Sequence, residues 1–262
     1  MEYLGVPIAV LTMYLAQRLE LRLGAAAAGW FAALPIAFAV AGATVAVTGS
    51  ATDASLLALS AVGHAAPMIA YAVAFLWATV RLGIVRGFIV AVVVYVVAST
   101  AVVPVPEPVR IAAGLIAICL GTLAMSRRPP MAPTAAAATR AQRALSLASA
   151  ALVVALITQA NNISGPDLAG AVGAFPTMTT TIALFLAYRA GAGNAGAVMS
   201  GMIKSLPIYV AFCLAFAVLV LRTTPVWAVA GATGIALLAA VLTWRTIERS
   251  DPVESRVLVA QT

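Results

Sequence analysis

The sequence predicts an all-α polytopic membrane protein, with about nine transmembrane helices arranged as two inverted-topology repeats. Three observations lead to this fold class: the composition, the length of the apolar runs, and a pair of matching stretches. Of the 262 residues, 63% are hydrophobic and only 9% are charged, whereas soluble domains carry about 25% charged residues. A chain with so few charges cannot cover itself with a solvated surface, so most of its surface is expected to face lipid.

The apolar runs divide the chain into nine segments, because about 20 apolar residues cross the hydrocarbon core as a helix. Backbone groups in lipid must be satisfied within each segment, which favours helices throughout. We place segments 1 to 9 at residues 3–21, 25–47, 55–80, 84–103, 108–126, 144–162, 167–189, 192–221 and 225–245.

The arginines fall mainly on one side of this arrangement. Only Arg110 and Arg222 lie on the other side. Because basic residues concentrate in cytoplasmic loops, the pattern predicts a multi-pass protein of the inner or plasma cell membrane, with the N-terminus outside and the C-terminus in the cytoplasm. The arginines on the predicted cytoplasmic side are Arg18, Arg22, Arg81, Arg86, Arg127, Arg128, Arg140, Arg143, Arg189, Arg245, Arg249 and Arg256.

Two pairs of stretches match at almost the same offset along the chain. Residues 24–35 and 165–176 share Gly, Gly and Pro at the same spacing. These glycines are small residues that let helices approach closely. Residues 60–67 and 200–207 share Ser, a basic residue and Pro, again at the same spacing. The common offset maps segments 1–4 onto 6–9, and an odd shift of five segments predicts opposite directions across the membrane.

These boundaries define four regions. Residues 1–105 form repeat 1, residues 106–143 hold the linking helix and a Pro- and Ala-rich cytoplasmic loop, residues 144–248 form repeat 2, and residues 249–262 are a cytoplasmic tail. Inverted repeats of this kind are typical of secondary transporters, which bind their solutes near the midplane of the membrane.

Lys204 and His64 are the candidate solute- or proton-binding residues. Each is the single residue of its type in the chain, and Lys204 falls near the middle of segment 8. A lysine at this depth costs about 2.5–3.5 kcal/mol on insertion scales, so its amine is expected to face the protein interior. Ser200 and Ser60 lie one helical turn before them, on the same helical faces. Histidine titrates near neutral pH, so proton coupling is an open option.

Four prolines lie inside predicted segments 2, 3, 7 and 8, and they predict broken helices around a cavity. They are Pro35, Pro67, Pro176 and Pro207. Each removes an N–H group and frees the carbonyl four residues back. Thr177 follows Pro176 directly, and its hydroxyl is a candidate cavity-lining group. The alternative is a structural role for these residues. The prolines would then form packed kinks, and the threonine hydroxyl would bond to its own helix.

The sequence gives little indication of catalysis or of a cofactor or metal site. There is no catalytic or nucleotide-binding motif, and Ser200 with Lys204 is only a weak nucleophile–base pair, so the chain is not expected to be an enzyme. Cys119 and Cys213 lack ligand spacing and are expected to be buried packing residues. No cofactor or metal is predicted. The dispersed arginines form no nucleic-acid-binding face.

The sequence therefore predicts a secondary, gradient-driven transporter of a small anionic or zwitterionic solute. Its expected partners are that small-molecule solute and membrane lipid, with no nucleic acid. Two alternatives remain open at this point. The chain could instead be a non-transporting membrane scaffold or assembly partner, or it could be a lipid flippase with a groove open to the bilayer. The sequence does not specify the solute, the coupling ion or the oligomeric state.

Overall fold

The computed structural model describes residues 22–126 and 171–248, together with the helical positions Leu11, Tyr14, Leu15 and Arg18. Predicted segments 1 and 6, the cytoplasmic loop and the tail lie wholly or mostly outside these residues. In the described part, the chain is helical and contains no strand. This confirms the predicted all-α class.

The helices of the described part are numbered here in chain order. A single helical turn at residues 171–174 precedes α7. The helices are α1 (Ala25–Ala32), α2 (Ile36–Thr48), α3 (Ala51–Gly63), α4 (Ala65–Leu82), α5 (Ile84–Val102), α6 (Glu107–Ser126), α7 (Thr177–Ala190), α8 (Ala192–Leu219) and α9 (Pro225–Glu248).

Six stretches of the described residues are long and apolar enough to cross a membrane, so the chain is a multi-pass membrane protein. They correspond to predicted segments 3, 4, 5, 7, 8 and 9. Segment 2 differs, because it is divided into α1 and α2, which are 8 and 13 residues long. The predicted total of nine segments stays a prediction. The six stretches are Ala51–Leu82, Ile84–Val102, Glu107–Ala124, Ala171–Arg189, Ala192–Leu219 and Pro225–Leu242.

Helix α8 forms the centre of the bundle. It contacts α1, α3, α4, α6, α7 and α9, and most of its side chains are buried. Helices α5, α6 and α9 are peripheral and expose large apolar side chains, including Val85, Leu120 and Leu238. In a membrane protein these side chains face lipid, which is as apolar as the protein core.

The two cysteines illustrate this difference between core and lipid-facing surface. Cys213 is buried in α8, as the sequence predicts, but Cys119 is exposed on α6. The prediction that both are buried is therefore wrong for Cys119. Apolar composition alone does not distinguish a residue that packs in the core from one that faces lipid.

Contacts along α8 fix the directions of its neighbours. The Phe38 ring of α2 packs edge-on against Tyr209 and Phe212, whereas Gly29 of α1 lies against Val198. The residue numbers of these contacts rise along both segment 2 and α8, so segment 2 runs parallel to α8.

Segment 3, formed by α3 and α4, runs antiparallel to α8. Near the start of α3, the Ser55 hydroxyl donates a hydrogen bond of 2.9 Å to the Ala217 carbonyl. Farther along, Ile69 and Ile203 both pack against Gly121 of α6. As the residue numbers rise along segment 3, those of its partners along α8 fall.

Two glycines allow α1 and α8 to touch through their backbones. A methyl group on Gly29 would overlap the Val198 carbonyl, and one on Gly201 would overlap the Ala26 carbonyl. Helix backbones approach this closely only where the side chains are small.

We expect Gly29→Ala and Gly201→Ala each to lower the free energy of unfolding by about 1–3 kcal/mol, because the added methyl group must displace a helix backbone. Gly234→Ala is the matched control, since a Cβ at that position on α9 meets nothing within 4 Å. Denaturant unfolding in detergent micelles measures the difference. Equal stabilities for the three variants would contradict the close packing of α1 and α8.

Candidate functional site

Three of the described transmembrane segments are interrupted inside the bundle. Segment 2 is interrupted at residues 33–35, segment 3 at His64, and segment 7 at residues 175 and 176. Pro35 and Pro176 lie in their interruptions, as predicted, and both are buried. Backbone groups that leave a helix inside a membrane need partners within the protein, so the hydrogen bonds of each interruption define what it can do.

The interruption of segment 2 is a tight turn around Pro35. The Leu34 N–H donates to the Phe31 carbonyl at 3.1 Å, and the Ile36 N–H donates to the Leu34 carbonyl at 2.8 Å. The second bond closes a three-residue turn of the inverse γ type. Ala39 then bonds to the Pro35 carbonyl at 2.8 Å. The Phe31 carbonyl, which the sequence predicts to be freed by Pro35, is therefore bonded to the backbone.

The interruption of segment 7 repeats these bonds at the matching positions of the second stretch. The Phe175 N–H donates to the Val172 carbonyl at 3.2 Å, and the Thr177 N–H donates to the Phe175 carbonyl at 2.8 Å. Thr180 bonds to the Pro176 carbonyl at 2.8 Å. Every donor and acceptor corresponds to its counterpart in segment 2. The two turns therefore share one geometry, although Pro is the only identical residue among the three that form each γ-turn.

Side-chain hydroxyls strengthen the second of these turns. The Thr180 hydroxyl donates to the Pro176 carbonyl at 2.7 Å. Its single proton is used in this bond, so the Tyr71 hydroxyl, 2.8 Å from the Thr180 oxygen, is the donor between the two side chains. Thr177 donates to the Phe175 carbonyl at 3.3 Å and is buried. The Thr177 hydroxyl is thus bonded within its own segment, and its assignment as a cavity-lining group stays a prediction.

A group of aromatic rings holds the same turn from the other side. Phe175 packs edge-on between Tyr71 and Tyr95, with ring centroids 5.3 Å and 5.0 Å away. The Tyr95 hydroxyl donates to the Ala171 carbonyl, just before the interruption. Sequence reasoning missed Tyr71 and Tyr95, and the available signal was a tyrosine placed well inside an apolar run.

The interruption of segment 3 centres on His64, which is fully buried between α3 and α4. The His64 Nδ1 lies 2.7 Å from the Ser60 carbonyl oxygen. A carbonyl only accepts hydrogen bonds, so the His64 Nδ1 carries a proton and is the donor. Pro67 falls in the first turn of α4, where its missing N–H removes no helical bond.

Lys204 lies in the middle of the central helix α8 and is only 7% exposed. Ser60 is buried and Ser200 is half-buried. Helix α8 continues through Pro207, so the interruption predicted at this proline is absent. The helix packs against α1, α3, α4, α6, α7 and α9 and against the Phe38 ring of α2. These contacts hold it in one piece despite one missing backbone bond.

Arg110 is buried, although the charge pattern counts it with the arginines at the ends of the segments. It lies in the first turn of α6, within predicted segment 5, and is only 8% exposed. Its side chain packs against Gly63, the last residue of α3. The Glu107-Pro108 pair suits the start of this helix.

The three buried basic residues lie on helices that touch one another. Arg110 belongs to α6, His64 follows α3, and Lys204 belongs to α8, and each pair of these helices is in contact. No carboxylate is buried among the described residues, and none of them forms a group of three His, Cys, Asp or Glu side chains that could hold a metal ion. That the stretches 60–67 and 200–207 line one shared cavity stays a prediction.

We expect Tyr95→Phe to lower the free energy of unfolding by about 0.6 kcal/mol and by no more than about 1.7 kcal/mol, as found for hydrogen bonds between membrane helices. The change leaves the ring in place and removes the donor to the Ala171 carbonyl. Tyr188→Phe is the control, because Tyr188 is 83% exposed. Unfolding in micelles is the measurement, and a loss as large in Tyr188→Phe would argue against the specific bond.

Comparison of the chain with known family models, with curated proteins and with solved structures finds no match. What this chain does is therefore argued from its interrupted segments and its buried basic residues.

Proposed function

We propose that the protein is a secondary, gradient-driven transporter of a small anionic or zwitterionic solute, built from two inverted repeats. The observation that carries this proposal is the matching pair of turns at residues 31–39 and 172–180. Interrupted helices in corresponding positions of two repeats are the usual frame of a transporter binding site.

The directions of the helices support the inverted repeat. Segment 3 runs antiparallel to α8, its counterpart under the mapping of repeat 1 onto repeat 2. Segment 2 runs parallel to α8. Segment 7 is joined to α8 by the single residue Gly191 and packs along it, so it runs antiparallel to α8. Segments 2 and 7 therefore run in opposite directions, as the repeat requires.

The helix contacts follow the same mapping. The pair α4 and α5 in repeat 1 corresponds to α8 and α9 in repeat 2, and both pairs are in contact. Exchange of the two repeats maps α2 onto α7 and α9 onto α5. Helix α2 contacts α9, and α7 contacts α5. This agreement is independent of the sequence identity, which is inflated by the abundance of alanine.

The charge of the interior supports an anionic group on the solute. Lys204 is buried and lies near the middle of the central helix α8. Helices α2 and α7 begin at the interruptions, so the positive ends of their dipoles lie inside the bundle. His64 is fully buried between α3 and α4 and is the candidate group for coupling to a proton gradient. We assign Ser200 and Lys204 to solute binding and not to catalysis.

The ends of the helices support the proposed orientation in a cell membrane. Arg81 and Arg86 flank the Gly83 turn, and Arg189 precedes the Gly191 turn. Because segment 3 and α8 are antiparallel, these turns lie at one end of the bundle, and we assign this end to the cytoplasm. Arg81 lies over the exposed Trp77 ring, 4.5 Å from its centroid, a pairing typical of the membrane interface.

The direct test is uptake into proteoliposomes, with a panel of radiolabelled small anions and zwitterions and with imposed ion and pH gradients. We expect Lys204→Ala to lower the rate of uptake at least tenfold at unchanged protein abundance, because the only amine inside the span is lost. Lys204→Arg keeps the charge and should retain part of the rate.

Val226→Ala is the control for this test, since Val226 is exposed on α9. Loss of abundance in Lys204→Ala, together with no uptake of any solute by the wild type, would favour the scaffold or assembly partner. Movement of labelled lipid between leaflets, with no uptake of any solute, would favour the flippase.

A further inference from the structure

Two backbone donors remain at the start of α7 once the bonds of its interruption are accounted for. Pro176 has no N–H, and the Thr177 N–H is used in the γ-turn to the Phe175 carbonyl. The next two N–H groups, those of Met178 and Thr179, lie in the first turn, where the helix offers no carbonyl four residues back. Neither of them bonds to a described carbonyl outside the helix. The first turn of α7 therefore presents two adjacent N–H groups inside the bundle.

The Thr179 side chain adds a third donor at the same place. Thr179 is only 1% exposed, and its hydroxyl has no hydrogen-bond partner among the described residues. Because the Cα–Cβ bonds of a helix tilt towards its N-terminus, this side chain leans over the first turn. The neighbouring Thr180 hydroxyl differs, since it donates to the Pro176 carbonyl at 2.7 Å. A buried polar group without a partner is rare in a folded protein and indicates a bound molecule, either water or a ligand.

The matching turn in repeat 1 has no such hydroxyl. The offset that relates the two turns pairs Thr179 with Phe38, which is buried in α2. The Phe38 ring packs edge-on against Tyr209 and Phe212. The two turns thus share their backbone bonds, but only the turn in repeat 2 combines N–H groups with a hydroxyl.

This group of donors lies at the same depth as Lys204. Gly191 joins α7 to α8, and the two helices pack antiparallel. Met178 is thirteen residues before Gly191, and Lys204 is thirteen residues after it. At 1.5 Å per residue, both positions are about 20 Å from the turn. A solute bound at the start of α7 is therefore level with the residue already assigned to solute binding.

We propose that the Met178 and Thr179 N–H groups and the Thr179 hydroxyl bind the carboxylate of the transported solute. This inference rests on the proposed function and narrows its substrate class to small carboxylic acids, including amino acids. Two N–H groups and a hydroxyl match the lone pairs of two carboxylate oxygens, and the positive end of the α7 dipole favours the negative charge.

The same physical chemistry favours a carboxylate over a phosphate. A phosphate with two charges costs more to remove from water than a carboxylate with one, and the first turn of α7 offers three donors and no charged side chain. The solute reaches these donors when the two repeats move relative to each other, as alternating access requires.

The first arm of the test measures thermal unfolding in detergent without ligand. Thr179→Val keeps the shape of the side chain and removes only the unpaired hydroxyl, so its Tm should equal or exceed that of the wild type. Thr180→Val is the matched control and should lower Tm by about 2–4 °C, because the Thr180 hydroxyl is bonded to Pro176 and to Tyr71. A loss as large in Thr179→Val assigns its hydroxyl to a bond within the protein and overturns the inference.

The second arm measures binding as the rise in Tm with lactate, propionate or glycine at constant ionic strength. We expect saturable stabilisation of the wild type by at least one probe, and an apparent affinity weaker by about tenfold or more in Thr179→Val, because a hydrogen bond to a charged group is lost. Thr179→Ser keeps the hydroxyl and should bind like the wild type. No stabilisation by any of the three probes, or equal affinities in the wild type and Thr179→Val, overturns the inference.

Inorganic phosphate is the comparison anion in the binding arm. Weaker binding of phosphate than of the best carboxylate supports the inference. Phosphate binding that is tighter than that of every carboxylate, and that depends on Thr179, overturns the carboxylate assignment.

Uptake kinetics in proteoliposomes separate failure of this inference from failure of the proposed function. Carboxylate binding that depends on Thr179, in a protein that transports nothing, supports the carboxylate position and rejects transport. Uptake with the same KM in Thr179→Val and the wild type supports transport and overturns the inference. A KM raised about tenfold or more in Thr179→Val, and unchanged in folded Thr180→Val, supports both.

Discussion

The structure depends on one constraint, which is that every backbone group leaving a helix inside the bilayer must find a partner within the protein. Segments 2 and 7 meet it with the same turn, in which N–H groups near Pro35 and Pro176 bond to carbonyls two to four residues back. Segment 7 also uses the Tyr95 hydroxyl. In segment 3, the backbone N–H and the ring Nδ1 of His64 both donate to the Ser60 carbonyl. Interruptions satisfied in this way can persist without opening the bundle to lipid.

The same constraint explains why α8 is the central element. Helix α8 contacts α1, α3, α4 and α7, which border the three interruptions. The backbone contacts at Gly29 and Gly201 bring α1 especially close to α8. An uninterrupted helix at this place provides a fixed surface for the broken ones. Lys204 therefore lies on the helix that contacts most of the other described helices.

The buried basic residues support the proposed function. Lys204 and Arg110 are both buried, and a basic side chain inside a membrane protein is costly. Two helices that begin within the bundle add the positive ends of their dipoles. The proposed solute is anionic because its binding beside Lys204 would offset part of this cost.

The sequence alone predicted the helical class, the limits of the described segments to within a few residues, and the prolines at two of the interruptions. Length and hydropathy suffice for these, because the bilayer fixes the span and Pro removes a backbone donor. The tertiary structure decided that Pro207 leaves α8 intact, that Cys119 faces outward, and that Arg110 is buried against Gly63. These outcomes depend on which neighbours surround a residue, and hydropathy is the same on both faces of a membrane helix.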